Sequence, residues 1–243
     1  MGVSKEQAAE NRRAIVAAAA QLFRARGVDA VGLNELMKHA GFTQGGFYNH
    51  FPSKAALVSE AVASAMADGA TDFAHALKAA PGDDSTTALQ HYVAYYLSEG
   101  HRDNIDHGCP VSGFAGDAPR VGADAQSNYA TGLDDQITLV AGLIAGSGVA
   151  DPTGEQRTLR ERAISLHCQM VGAVILSRSV AQAAPAFSQE ILKNVHREIS
   201  ASLFPSPDPP HASGGRRRRR SLALEMTSSR RSTARSQSRG RPN

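Results

Sequence analysis

Gly41-Phe42-Thr43-Gln44-Gly45-Gly46-Phe47-Tyr48-Asn49-His50-Phe51-Pro52-Ser53-Lys54 is the stretch whose reading decides the fold. Pro52 pushes the residue before it out of helical geometry. Ser53 is suited to cap a new helix by accepting a backbone N–H. At the other end Gly41 is a helix stop and Thr43 a second N-cap candidate. The spacing predicts one very short helix, about residues 44–51, between two breaks. A helix that short is not stable alone, so its neighbours must hold it, as suits an element that presents one face to a partner. Stepping 100° per residue brings Phe47 and Phe51 together as the buried side. Gly45 and Asn49 point the opposite way with Gly46 beside them, and Gln44, Tyr48 and His50 sit on the flanks. Glycine costs up to about 1 kcal/mol per helical position against alanine, and close approach of the backbone to something is one reason to carry that cost. The plain alternative is that Gly45-Gly46 is only a loop.

The upstream residues favour the helix. Leu33, Leu36, Met37 and Ala40 fit an amphipathic helix over residues 33–40. Two short helices joined by a tight glycine-containing turn make a helix-turn-helix, whose second helix enters the DNA major groove. Small outward residues let it lie deep. Gln44 is suited to pair with an adenine, and Thr43 to meet a phosphate or a thymine methyl. Tyr48, His50 and Lys54 are placed for flanking phosphates, contacts that position a domain without reading sequence.

These residues carry a resemblance. Arg12-Arg13-Ala14-Ile15, Leu22-Phe23, Gly27, Leu36 and above all residues 41–57, which continue past Lys54 as Ala55-Ala56-Leu57, resemble the tetracycline-repressor (TetR) family. The likeness covers about the first quarter of the chain. It implies an all-α homodimer with an N-terminal three-helix helix-turn-helix domain and a C-terminal helical domain for effector binding and dimerisation. In that family the effector usually relieves repression. Gly32 departs from the pattern, since the family commonly has Thr or Ser capping the second helix; glycine is only modestly worse as a cap.

The 243 residues suffice for one large or two modest domains. No apolar run nears the ~18 residues that span a bilayer. The N-terminus is polar and lacks an apolar signal core, so a cytoplasmic location without membrane attachment is expected. Cys109 and Cys168 are the only cysteines, too few for a disulfide framework. The net charge of +3 hides an asymmetry. From Pro205 onward ten arginines face Asp208 and Glu225; residues 1–54 hold seven basic and four acidic residues, which leaves residues 55–204 at −8. A basic N-terminal segment fits a polyanion partner, and the acidic middle does not.

Three segments follow: a DNA-binding domain over 1–53, a helical effector and dimerisation domain over 54–204, and an Arg/Ser/Pro-rich tail over 205–243 whose composition argues for disorder. Helices are expected over 5–26, ended by Gly27, and over 53–80 as the connection between domains. Others are expected over 85–99, 123–145, from a Thr153/Gln156 capping box to about 182, and from 188 to 204. For the last, Phe187 is expected to staple to Leu192 across a Ser188 cap. Residues 100–108 read as a polar loop, and a short helix opens near Pro110. Arg12 and Arg13 are candidates for phosphate contact from the first helix, with a solvated helix face as the alternative.

Signals for an enzyme are poor. There is no nucleophile elbow, phosphate-binding loop, His-Glu-x-x-His or Cys-x-x-Cys motif. His101, His107 and Cys109 are zinc-ligand types within one loop, which keeps a small metal- or thiol-dependent enzyme open as an alternative. An RNA-binding role for the arginine tail is another. No cofactor is expected. For an effector pocket the candidates are Tyr92, Tyr95, Tyr96, Cys109, Phe114, Tyr129, His167 and Met170, a mostly apolar set with a few polar tips. Two half-sites of a palindromic operator, about 34–36 Å apart, need two reading heads at fixed separation. A self-complementary surface is therefore expected from the last two helices. Ile164, Cys168, Val171, Gly172 and Ile175 offer one stripe, and Ile191, Val195, Ile199 and Leu203 the other.

Overall fold

Alternation is absent from the sequence over any useful length, and helices accordingly dominate the described residues. The computed structural model describes residues 4–78, 85–151, 153 and 157–204. Among them are helices α1 (Lys5–Arg26), α2 (Leu33–His39), a 3-10 turn (Gln44–Asn49), α3 (Lys54–Lys78), α4 (Ser85–Tyr96), α5 (Glu99–Asp103), α6 (Pro110–Phe114), α7 (Ala123–Ser147), α8 (Leu159–Val180) and α9 (Pro185–Leu203). The tail and the turn at 81–84 lie outside the described residues, which all fall in one unit, Met1–Ser206.

The N-terminal helices begin and end where local chemistry dictates. Ser4 caps α1 by accepting the Gln7 N–H, and Gly27 closes it. Gly32 precedes α2 without a side-chain cap bond. At the far end of α2 the Gly41 N–H donates to the Lys38 carbonyl and the Phe42 N–H to the Met37 carbonyl, at 3.1 and 2.7 Å. This Schellman arrangement needs a left-handed residue, and Gly41 supplies it at φ 86°. Ser53 caps α3 through the Ala56 N–H.

Two hydrophobic clusters hold the fold. In the first, Ile15, Ala19 and Phe23 of α1 meet Leu36, Phe47 and Phe51, with Leu57 and Val58 of α3 behind them. Leu22 and Phe42 are only partly buried at its edge. The cluster continues into Val111 and Phe114 of α6 and Ala125 of α7, so the reading head shares a core with the body. The second cluster joins α4, α7, α8 and α9 through Leu89, Val140, Met170, Val174 and Leu192.

Four boundaries differ from expectation, one through glycine content and three through polar contacts. The short element is a 3-10 turn ending at Asn49, with i→i+3 bonds from Gly46 to the Thr43 carbonyl and from His50 to the Phe47 carbonyl. Six residues with two glycines do not sustain an α-helix. The expected helix over 85–99 stops at Tyr96, and the expected loop after it contains α5, because the Ser98 hydroxyl accepts the His101 N–H. Helix α8 starts after Thr158, whose capping box is completed by Glu161. Thr153 instead bonds the Asp151 carboxylate, and Gln156 lies outside the described residues. Helix α9 starts at Pro185, so Ser188 is interior to it. The Ser188 hydroxyl donates to the Ser177 carbonyl at 2.8 Å and accepts from Arg102 at 3.0 Å. Phe187 is exposed rather than stapled.

Candidate nucleic-acid interface and interior cleft

The reading face is built from below. Phe47 and Phe51 are buried and stacked, ring centroids 5.6 Å apart. Their burial turns the rest of the element outward: Thr43, Gln44, Gly45, Tyr48 and Asn49 are exposed, and Gly46 is half-buried. Tyr48 shows 71% of its surface although its ring packs edge-on against Phe47 at 5.2 Å. Thr43 makes no capping bond. A Cβ added at Gly45 would meet nothing within 4 Å of this chain. Glycine there serves no packing need within the described residues.

Other candidates act from within. The Arg12 guanidinium bonds the His50 carbonyl and the Glu60 carboxylate and lies 4.1 Å over the Phe51 ring. It straps the turn to α1 and α3. Lys54 donates to the Val28 carbonyl at 2.7 Å, pinning α3 to the α1–α2 connection. His50 is half-buried against Phe42 and Phe51. Arg13 is exposed. Sequence spacing marked all four as basic and near the turn, but their partners are set by tertiary packing.

The cleft lies between α3, α4, α7 and the connection 104–109. It is lined by Phe73, Tyr92, Tyr95, Tyr96, Cys109 and Pro110, with Asp72, Gln136, His101 and His107 around them. Its empty space is about 460 Å³ including the open mouth, but the centre of a water-sized sphere fits in only about 50 Å³ of it, so the cleft is narrow. Of the eight predicted pocket residues it brings together Tyr92, Tyr95, Tyr96 and Cys109. Phe114 is buried in the first cluster and Met170 in the second. Tyr129 donates to the Val111 carbonyl at 3.0 Å, and burial pushes its hydroxyl up to about 12. His167 is buried behind Tyr96, ring centroids 6.3 Å apart. Asp72, Phe73 and Gln136 were missed; they are distant in sequence and meet only because α3 packs on α7.

His101 does not act as a ligand here. Its Nδ1 bonds the Tyr96 carbonyl at 2.7 Å and its Nε2 accepts the Cys109 N–H at 3.3 Å. A ring that donates through one nitrogen and accepts through the other is neutral, and burial accordingly lowers its pKa to about 4. His107 faces Gln21 and Asp106. No group of three or more His, Cys, Asp or Glu side chains that could hold a metal ion occurs among the described residues. The zinc-like trio is a wall of the cleft.

With that geometry in hand, comparison with known proteins has a clear outcome. Residues 15–61 match the family model described as bacterial regulatory proteins, tetR family. The N-terminal segment is thus similar to the DNA-binding domain of that family. Over 57 residues it is 42% identical to the HTH-type transcriptional regulator AcrR of Shigella flexneri, covering 24% of this chain and 26% of that one. Over 51 residues it is 47% identical to the HTH-type transcriptional repressor BepR of Brucella suis biovar 1, covering 21% and 24%. The aligned part thus spans about a quarter of the length of these curated relatives. The fold extends further. A TetR transcriptional regulator from Chloroflexus aurantiacus superposes with a TM-score of 0.65 at 20% identity, over 82% of this chain and 98% of that one.

The N-terminal domain is tied directly to the cleft. The Arg24 guanidinium of α1 donates to the Gly108 carbonyl at 3.0 Å, and Gln21 pairs with His107 at 3.1 Å. The Val28 N–H donates to Asp117 at 3.2 Å. Arg178 of α8 holds the same connection from behind, reaching the Arg102 and His101 carbonyls and the Ser112 hydroxyl. On the body, Ile164 and Cys168 of α8 are exposed, Val171, Gly172 and Ile175 are half-buried, and Leu176 shows 60% of its surface. On α9, Ile191 and Val195 are half-buried, whereas Ile199 and Leu203 belong to the chain's own core. By length and composition α8 could cross a bilayer; here it packs between α7 and α9.

Proposed function

We propose that this protein is a transcriptional repressor that binds a palindromic operator as a homodimer and is released by a small molecule in the cleft. The observation that carries the reading is the outward face from Thr43 to Asn49, small and polar, over the fully buried Phe47. Thr43, Gln44, Gly45, Gly46 and Asn49 approach the base edges, and Tyr48, His50 and Arg13 face phosphates, with Arg12 and Lys54 bracing the turn. Residues 1–53 form the reading head and 54–204 the effector and dimerisation body. The exposed α8 stripe supports dimerisation, since an apolar face of this kind on a helix is suited to a two-fold contact. The hydrogen bonds from the cleft wall to α1 support release: an occupant that moves the 104–109 connection must move α1 or break those bonds. The place of action is the cytoplasm, where operator DNA lies.

The test starts from capture of duplex fragments taken upstream of bacterial genes and the salt dependence of their binding. One palindromic duplex should be retained far better than random DNA, by a species of twice the chain mass. A protein that holds all duplexes equally, or a monomer that binds the duplex at full affinity, would overturn the reading. Release is then read by adding compounds from a broad small-molecule library to the complex.

A further inference from the structure

The histidine and the two arginines around the cleft spend their hydrogen-bonding capacity within the chain. His101 uses both ring nitrogens, on the Tyr96 carbonyl and the Cys109 N–H. Arg24 and Arg178, the cations nearest the 104–109 connection, are turned to the Ala20 and Gly108 carbonyls and to the oxygens of His101, Arg102 and Ser112. The Tyr96 hydroxyl, in contrast, has no hydrogen-bond partner, although the residue is only 3% exposed. The Cys109 thiol faces it and is a weak partner at best. Behind Tyr96, both ring nitrogens of the buried His167 are also without partners. Unmade bonds at a buried hydroxyl are costly, and here the residue lines a cleft. Around it the walls are aromatic: Phe73 meets Tyr92 edge-on at 4.6 Å, and Tyr92 meets Tyr96 edge-on at 5.8 Å.

We propose that the cleft selects uncharged aromatic compounds that carry one hydroxyl or carbonyl, seated against the tyrosines so that this group bonds the Tyr96 hydroxyl. The inference deepens the proposed effector role by naming its chemical class and the residue that selects it. Charge is excluded for a stated reason. The inner wall offers neither a free cation nor a carboxylate. Burial raises the Tyr92 and Tyr96 hydroxyls well above the usual range and lowers His167 to about 4, so the interior stays neutral at pH 7. Asp72, the only acidic lining side chain among the described residues, is exposed.

Four probes built on one methyl-substituted ring separate the possibilities: 4-methylphenol, toluene, 4-methylbenzoate and 4-methylbenzylamine, titrated into the full chain at pH 7 and followed by ligand-observed NMR. 4-Methylphenol should bind about tenfold more tightly than toluene, the value of one bond to an otherwise unsatisfied buried group, and 4-methylbenzoate should not bind. In Tyr96→Phe the phenol-to-toluene ratio should fall to about one. That variant loses only an unpartnered hydroxyl, so its thermal unfolding should be unchanged or later, which guards against misfolding as the cause. A phenol preference that survives Tyr96→Phe, binding of the benzoate, or tightest binding of the amine would each overturn the proposal. Phenol binding that leaves operator affinity unchanged would sustain this selectivity and sink the effector role. Release by charged compounds alone would do the reverse.

Discussion

Gln44 and Tyr48 are both exposed on the short turn, yet they should fail differently when changed. Gln44→Ala should erode discrimination at one base pair by about 1–3 kcal/mol, while Tyr48→Phe should weaken specific and random duplexes alike, because a phosphate contact carries no sequence information. Equal losses on both duplexes for Gln44→Ala, in a binding titration at fixed salt, would remove it from the base-reading set. The two glycine types also part. Gly41 adopts φ 86° at the end of α2, so Gly41→Ala should cost about 1–2 kcal/mol of stability. Gly45 has open space around it, so Gly45→Ala should leave thermal unfolding unchanged or slightly later, and weaken operator binding by crowding the DNA. Denaturation and DNA titration of the same two samples decide both statements.

At the scale of elements, the 3-10 turn depends on α1 more than on itself. Arg12 bonds the His50 carbonyl and Glu60 of α3, so Arg12→Met should loosen the turn, destabilising the protein by about 1–2 kcal/mol and weakening all duplexes. Its effect on the slope of affinity against salt should be small, since the guanidinium is held by the protein; a full one-charge drop in that slope would make Arg12 a phosphate contact after all. The other element-level link is α1 to the cleft. Arg24→Met removes the bond to the Gly108 carbonyl. It should leave operator affinity within a few-fold while blunting the release caused by any compound that occupies the cleft. Unaltered release in that variant would locate the coupling elsewhere, for instance at Asp117 and the Val28 N–H.

The whole molecule carries two further expectations. Exposed Ile164 and Leu176 on α8 are available without disturbing the chain's own core. Leu176→Glu should therefore give folded monomers by sedimentation, with operator binding lost; a dimer that persists would move the interface off this face. Stability should also fall in mild acid. His101 and His167 are buried with pKa values lowered to about 4 by burial, against about 6.5 when unfolded. As pH drops below 6.5 the unfolded chain takes up protons that the folded chain refuses. The stabilisation is present above 6.5 and is lost progressively down to about 4, at most ~3 kcal/mol per histidine. His167→Phe, which fits an apolar setting without any bond to lose, should shrink that dependence. An acid limb of the same size in His167→Phe would show that the site is protonated while folded.

Local sequence determined most of the reading head. The Gly41 stop, the Ser53 cap, the Phe47/Phe51 pair and the outward glycines are all short-range consequences of side-chain type and helical spacing, and each lies where that chemistry puts it. Tertiary structure decided what spacing cannot express. Whether Arg12 and Lys54 meet solvent or the His50 and Val28 carbonyls depends on how α1, α3 and the turn pack. Whether Ser188 caps a helix or sits inside one depends on Ser177 and Arg102, more than eighty positions away in the latter case. The cleft is the clearest instance. Tyr92 and Tyr96 could be placed on one helix face from their spacing, but Asp72, Phe73 and Gln136 join them only through the packing of α3 on α7. The unpartnered Tyr96 hydroxyl is a fact about three-dimensional neighbours, since a hydrogen bond is lost or made by position, and sequence spacing fixes position only within an element.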